Sequence, residues 1–247
     1  MNDPYLSVVI PAYNEEKRIT KTLDITYAYL KRQAYSWEIV VVLDGVTDGT
    51  AKKIEEFSKD KEGIRVIDRK QNRGKGYTVR EGMLAAHGVV RLFTDADNST
   101  DISHFDTMKP LFDEGCDVVI ASRDPKDAEG ATQAVPQPAF KRLLGNMGNL
   151  FIQIVAVHGI WDTQCGFKAF TKNASEKIFS VSHIDRWGFD IEALALARRF
   201  GFRICIIPAH WINDAESHVK LSGYIGVLLE TVKIRLNIVK GVYGKKS

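Results

Sequence analysis

SVVIPAYNEE (residues 7–16) and VVRLFTDADNST (89–100) decide the fold, because each runs from a β-branched apolar stretch directly into polar and acidic residues. Working outward from these two, residues 6–10, 37–43, 64–67, 89–93 and 118–121 read as strands. Residues 18–33, 48–58, 76–87 and 102–114 read as amphipathic helices, the last behind Asp101 as its cap. Strand and helix in alternation predict a parallel sheet. A run such as IVVVL (39–43) lacks polar alternation because strands of such a sheet are buried on both faces. Past Ser122 the rhythm loosens into a loop over 124–138, a helix over 140–157, a helix over 188–199, a strand over 203–207 and a closing helix over 222–239. The expected fold is α/β: one Rossmann-like, mostly parallel sheet with helices on both faces over 1–210, then a C-terminal amphipathic helical extension over 211–247.

With 247 residues, 45% of them apolar and 26% charged, the chain has the material for one full α/β core. A net charge of +3 gives no electrostatic case for nucleic acid as a partner. Three cysteines, Cys116, Cys165 and Cys205, are an odd number without metal-type spacing, so the expectation is free thiols in a reducing compartment. The start of the chain lacks the pattern of a secretory signal. Its apolar runs fall short of the ~18–20 uncharged residues that span a bilayer, so any meeting with a membrane is expected at the surface.

In a doubly wound sheet, ligands bind beyond the carboxyl ends of the strands where the winding reverses, commonly between the first and fourth strands. Here those ends carry Pro11, Ala12, Tyr13, Asn14 and Glu15 on one side and Asp95, Ala96, Asp97 and Asn98 on the other. In extended backbone Asp95 and Asp97 point the same way, about 7 Å apart, and suit a hard cation such as Mg²⁺ shared with phosphate. An isolated pair of this kind is more often a pair of turn or cap aspartates; its place at the reversal, with the other motifs, favours the cation. Asp44, at the end of the second strand, is placed to accept hydrogen bonds from a base or ribose, or to close a tight turn with Gly45, whereas Asp48 reads as a helix cap. Asn72, Arg73, Gly74, Lys75 and Gly76 form a cationic, glycine-rich turn that lets backbone approach a ligand and sets positive charge near phosphate. The six histidines lack the paired spacing of a metal site.

The order of these segments resembles that of the family 2 glycosyltransferases. SVVIPAYNEE (7–16), VVVLDGVTDGT (40–50), NRGKG (72–76) and TDADNST (94–100) resemble its successive blocks, and DTQCGFKAF (162–170) and RWGFDIEAL (186–194) resemble the dolichyl-phosphate β-glucosyltransferase branch, beside the dolichyl-phosphate mannose synthases. The resemblance implies a GT-A fold, a nucleotide-sugar donor, inversion at the anomeric carbon, Mg²⁺ or Mn²⁺, and a polyprenyl phosphate acceptor. It implies that Pro11, Ala12, Tyr13, Glu15 and Asp44 line the nucleotide pocket, and that Asp95 and Asp97 hold the metal and diphosphate. Leu43 stands where many relatives carry a first aspartate, and Ser99 where mannose synthases often carry glutamine, which favours UDP-glucose over GDP-mannose.

An acceptor phosphate monoester, with its second pKa near ~6, is already a nucleophile at neutral pH and needs positioning more than deprotonation. Arg123, and Arg142 or Lys141, are the cations expected to hold it. Asp190 is expected to orient the donor sugar or to act as a base, or else to serve as a helix N-terminal carboxylate. Lys75, Ala96, Gln164 and Lys168 are further donor-site candidates, and Cys165 reads as a small buried side chain. Apolar residues recur at helical spacing over 140–155 and over 225–239, the second stripe beside Lys233, Arg235, Lys240, Lys245 and Lys246. Either stripe suits the bilayer interface or packing on the sheet; the basic tail favours the C-terminal helix for the membrane. The expectation is therefore an enzyme held peripherally on the cytoplasmic face of a membrane. The alternatives are a mannose synthase and a non-catalytic nucleotide-binding partner protein.

Overall fold

A computed structural model describes residues 3–133, 139–211 and 221–244, with backbone alone at 133, 139–144 and 221–222. In chain order the elements are β1 (Leu6–Ala12), α1 (Ile19–Leu30), β2 (Trp37–Asp44), α2 (Thr50–Ser58), β3 (Ile64–Arg69), α3 (Lys75–Ala85), β4 (Val90–Thr94), α4 (Phe105–Asp113), β5 (Val118–Ser122), β6 (Thr132–Gln133), α5 (Ala139–Val155), β7 (Phe167–Thr171), α6 (Lys172–Phe179), α7 (Phe189–Arg199), β8 (Ile204–Pro208), β9 (His210–Trp211) and α8 (Leu221–Val239). One turn of 3₁₀ helix, Ile102–His104, leads into α4, and the Asp101 carboxylate caps it by accepting the Ser103 amide.

Seven strands form the main sheet in the order β3-β2-β1-β4-β7-β5-β8, and β6 pairs with β9 in a small second sheet. β4, at the centre, is buried along its whole length, and so are β1 and β5, which accounts for their unbroken apolar runs. β3, at the edge, alternates exposed and half-buried residues over its second half. Two cores lie on the two faces. One gathers Val8, Ile10, Leu23, Ile39 and Phe105, the other Val9, Val40, Val79, Phe93, Phe170 and Leu194.

The structure corrects the sequence expectation in three places. First, β7 enters antiparallel between β4 and β5, with Lys168 opposite both Phe93 and Ile120. The stretch FKAFT reads poorly as a strand because it is short and carries a lysine, and α6 follows without a loop. Second, Cys116 and Cys205 are joined in a disulfide across a separation of 89 residues, leaving Cys165 free. The parallel pairing of β5 with β8 carries the two cysteines to one sheet edge, a contact between residues far apart in the chain. This removes the argument for a reducing compartment that the odd count supported. Third, residues 124–133 are not one open loop: Asp127 accepts Ser122 Oγ and the Trp161 and Asp162 amides, and β6 follows. Residues 134–138 lie outside the described part.

A bridge closing so long a loop is worth about 2–4 kcal/mol. Chemical denaturation of Cys205→Ser under oxidising conditions should show a loss of that order, and a variant as stable as the native chain would contradict the bridge.

Candidate active site

The winding reverses between β1 and β4, which are direct neighbours in the sheet, so the ends of both strands open on one edge. Pro11 and Ala12 complete β1 and are buried in register with Val42 and Leu43; Tyr13 then emerges exposed. Asn14 takes φ 55°, and its side chain accepts the Thr47 amide at 2.9 Å, tying the β1 loop to the β2 loop. The Asp95–Asp97 turn is fixed from both sides. Thr22 of α1 donates to the Ala96 carbonyl at 2.6 Å, and the Asp95 amide donates to the Gly166 carbonyl at 3.2 Å. Ala96 therefore anchors the turn through its backbone.

Three carboxylates gather here. Burial raises the Glu15 carboxyl above its ordinary pKa, with Asp97 and Asp95 adding repulsion against the pull of Arg18, which holds Glu15 at 2.8 Å. Asp97 Oδ1 accepts the Ser99 amide at 2.9 Å. Asp95 Oδ1 is buried against the Lys75 ammonium, which stands 2.6 Å away in ion-pair contact. Burial works to lower the Lys75 pKa, but Asp95, Asp190 and Asp97 together raise it.

Behind this pair lies a second one. Lys168 is fully buried and its ammonium donates to Asp190 Oδ1 and to the Cys165 carbonyl, both at 2.5 Å. Burial raises the Asp190 carboxyl although Lys168 and Lys75 pull the other way. Lys168 is thus committed to Asp190, which it orients. Asp190 is a carboxylate in the first turn of α7 and lies within electrostatic reach of Lys75 and Asp95. Burial pushes the Cys165 thiol up to about 11, in keeping with a small buried side chain.

Other expected residues are committed elsewhere. Asp44, 3% exposed, accepts Arg69 Nη2 at 2.5 Å, the Arg73 amide at 2.7 Å and the Gly74 amide at 2.9 Å. Its first task is to hold the 72–76 turn. The glycines of that turn serve packing rather than approach to a ligand: a Cβ on Gly76 would lie 2.5 Å from the Ile184 carbonyl oxygen and 2.7 Å from Phe189 Cβ. Arg123 forms a two-point ion pair with Asp162, at 2.7 and 2.8 Å, and its guanidinium lies over Trp211. Burial would lower the Arg123 pKa, but Asp162 raises it; the same partnership holds Asp162 below its ordinary value against burial. The charge of Arg123 is therefore already neutralised. Gln164 reaches the Trp187 carbonyl at 3.4 Å, beside the site. The side chains of Lys141 and Arg142 lie outside the described residues, as do Lys245 and Lys246.

Two residues of the site carry no chemical signal in the sequence. A Cβ on Gly166 would sit 2.1 Å from Asp95 Oδ2, so glycine there makes room for the carboxylate. Trp187, half exposed, lies over the Lys75 ammonium at 5.7 Å. Both fall inside quoted motifs, DTQCGFKAF and RWGFDIEAL, but a small residue and an aromatic give no hint of their role until β7 is placed.

The residues fit a divalent cation. The turn supplies hard carboxylate oxygens in a cradle that Gly166 keeps clear. Among the described residues no three His, Cys, Asp or Glu side chains converge as ligands as they stand; phosphate and water would complete the set.

The model of the family described as "Glycosyl transferase family 2" matches residues 7–179, well over half of the chain. The chain belongs to glycosyl transferase family 2. It is 36% identical over 256 residues to a dolichyl-phosphate beta-glucosyltransferase of Trichomonas vaginalis, covering 100% of this chain and 75% of the relative. It is 37% identical over 258 residues to the dolichyl-phosphate beta-glucosyltransferase of Saccharomyces cerevisiae, covering 97% and 76%. Among solved structures, glucosyl-3-phosphoglycerate synthase from Mycobacterium tuberculosis, in complex with Mn²⁺, UDP and glucosyl-3-phosphoglycerate, shares the fold. The TM-score is 0.67 at 20% identity, covering 95% of this chain and 79% of the other. The expected GT-A fold is thus the fold of this family 2 member. The family match ends at residue 179, so Asp190 and all of α7 and α8 lie beyond it.

Removing one partner of a buried ion pair costs about 3–5 kcal/mol because the other is left uncompensated. Lys168→Met should lose stability of that order in urea melts, and Lys168→Met/Asp190→Asn should regain much of it; an additive loss in the double variant would contradict the pairing.

Proposed function

We propose that this chain is an inverting, metal-dependent hexosyltransferase that moves glucose from UDP-glucose to a polyprenyl or dolichyl phosphate, peripherally bound at the cytoplasmic face of a membrane. The observation that carries the reading is the Glu15, Asp95, Asp97 and Lys75 cluster at the reversal of a family 2 sheet. The relatives, aligned over nearly the whole chain, are named for glucose and dolichyl phosphate, which favours glucose over a GDP-mannose donor. A non-catalytic partner protein would have no use for Lys168 and Asp190 paired behind the cluster.

Asp95 and Asp97 would hold Mg²⁺ or Mn²⁺, which supplies positive charge against the diphosphate as it departs. Pro11, Ala12, Tyr13 and Glu15 border the nucleotide, and Asp44 shapes that border by fixing the 72–76 turn. Lys75, already among carboxylates, is placed to meet the diphosphate once Asp95 takes a different counter-charge. Asp190, oriented by Lys168, and Gln164 stand where the sugar hydroxyls are to be held. An acceptor phosphate oxygen forms its bond to the anomeric carbon as the bond from that carbon to the UDP oxygen breaks, the electron pair leaving with UDP. One displacement inverts the centre, and no base is needed. With Arg123 bound to Asp162, Arg142 and Lys141 at the start of α5 are the better candidates for the acceptor phosphate.

The lipid surface fits α8 and α5. Ile225, Leu229, Val232, Leu236 and Val239 form an exposed stripe along α8, while Val227, Thr231 and Ile234 face inward. α5, in contact with α8, exposes Met147, Leu150 and Ile154. Lys233, Arg235 and Lys240 lie exposed beside the stripe and suit anionic headgroups. No helix among the described residues is long and apolar enough to cross a membrane.

Incubation with a panel of nucleotide sugars, Mn²⁺ and a short polyprenyl phosphate should give a glycolipid with UDP-glucose, and none from any donor would sink the reading. Gly166→Ala should push Asp95 aside and weaken UDP binding in Mn²⁺ by roughly tenfold or more, each ~1.4 kcal/mol being a factor of ten. Calorimetry of that variant matching the native chain would remove Asp95 from the cation.

A further inference from the structure

The first turn of α7 carries Asp190, yet α7 starts without a capping side chain of its own: its N-cap is Gly188 and makes no side-chain cap bond. The partner comes from α8. Glu230 Oε2 accepts the Gly188 amide at 2.7 Å. The fit is close, since a Cβ on Gly188 would lie 2.8 Å from Glu230 Cβ. Gly188 follows Trp187, whose ring overlies Lys75 and whose carbonyl accepts Gln164. The same segment abuts the 72–76 turn, where the Asp185 carbonyl accepts the Tyr77 amide at 3.1 Å. A second carboxylate, this one buried, braces it: Glu192 accepts the His183 and Ile184 amides, both at 2.9 Å, and the Tyr243 hydroxyl from beyond α8 at 2.7 Å. The chain after residue 220 thus holds 183–190 at two points.

We propose that Glu230 is a positioning residue of the transferase site: through the Gly188 amide it fixes the start of α7, and so the stations of Trp187 and Asp190, from the helix whose outer face is the apolar stripe. A shift of this segment displaces groups that act on the donor, and misplacement of about 1 Å at such distances costs rate far more than binding. Because Glu230 and the stripe belong to one helix, seating α8 on lipid steadies the site. That last step rests on the lipid-facing reading of α8; the role of Glu230 does not.

The test compares native chain, Glu230→Ala and Glu230→Gln by hydrogen–deuterium exchange and by glucose transfer. Glutamine keeps an acceptor for the Gly188 amide and alanine does not. In Glu230→Ala, amide exchange over 184–190 should quicken about tenfold, and kcat should fall about tenfold with the KM for UDP-glucose nearly unchanged; Glu230→Gln should restore both. Equal exchange and equal kcat in native chain and Glu230→Ala, or a glutamine variant as impaired as the alanine one, would overturn the proposal. With vesicles of phosphatidylcholine and an anionic lipid, exchange should slow over α8 in both proteins, but over 184–190 in the native chain and not in Glu230→Ala. Equal slowing of 184–190 in both would overturn the coupling, and no slowing of α8 would count against the lipid-facing reading while the vesicle-free arms still judge Glu230. Absence of any glycolipid from the native chain would sink the proposed acceptor and leave the exchange result standing.

Discussion

Gathering Glu15, Asp95 and Asp97 at one edge of a sheet is electrostatically costly, and the surrounding structure is arranged around that cost. Two like charges ~4 Å apart near a protein surface repel by about 4 kcal/mol. Lys75 supplies the compensating charge, held in place by a glycine-rich turn that Asp44 ties from one side and the 184–186 backbone from the other. Burial, with Asp97 and Asp95 adding to it, raises the Glu15 pKa, and the surrounding carboxylates raise that of Lys75 against burial. On the proposed function, a cation takes over the negative charge of this site and frees Lys75 for an incoming phosphate.

The parallel half of the fold was legible because its strands are buried on both faces and its helices are amphipathic; all five early strands stand where periodicity puts them. β7 was not, since a five-residue strand with a lysine at its centre looks like a turn until Phe93 and Ile120 are seen on either side. The disulfide was hidden for a related reason: the pairing of β5 with β8 is a contact of tertiary origin, which cysteine spacing does not encode. At the sheet edge Asp95, Asp97, Lys75 and Asp190 lie within electrostatic reach of one another. What the motifs do not carry is partners. Asp44, Arg123 and Lys168 carry the right chemistry for ligands, but Arg69, Asp162 and Asp190 claim them first. A sequence shows which side chains could bind and not which of them are already bound to each other.

These internal pairings divide labour within the site. Lys168 and Asp190 lie buried, where a charge without a partner is expensive, so their geometry is stiff. Asp97 and Lys75 lie nearer the surface, where exchange of partners is cheap. The part of the chain after residue 179 adds the rest: α7 brings Asp190, and α8 offers one face to the protein and the other to its surroundings.

The central claim is that the carboxylates give up Lys75 for a divalent ion when the nucleotide arrives. Titration of the full chain with UDP by calorimetry, in Mn²⁺ and then in excess chelator, tests it most directly. Affinity should collapse by a factor of ten or more without the ion, since ~1.4 kcal/mol is lost for each such factor. An isotherm unchanged by the chelator would contradict the account.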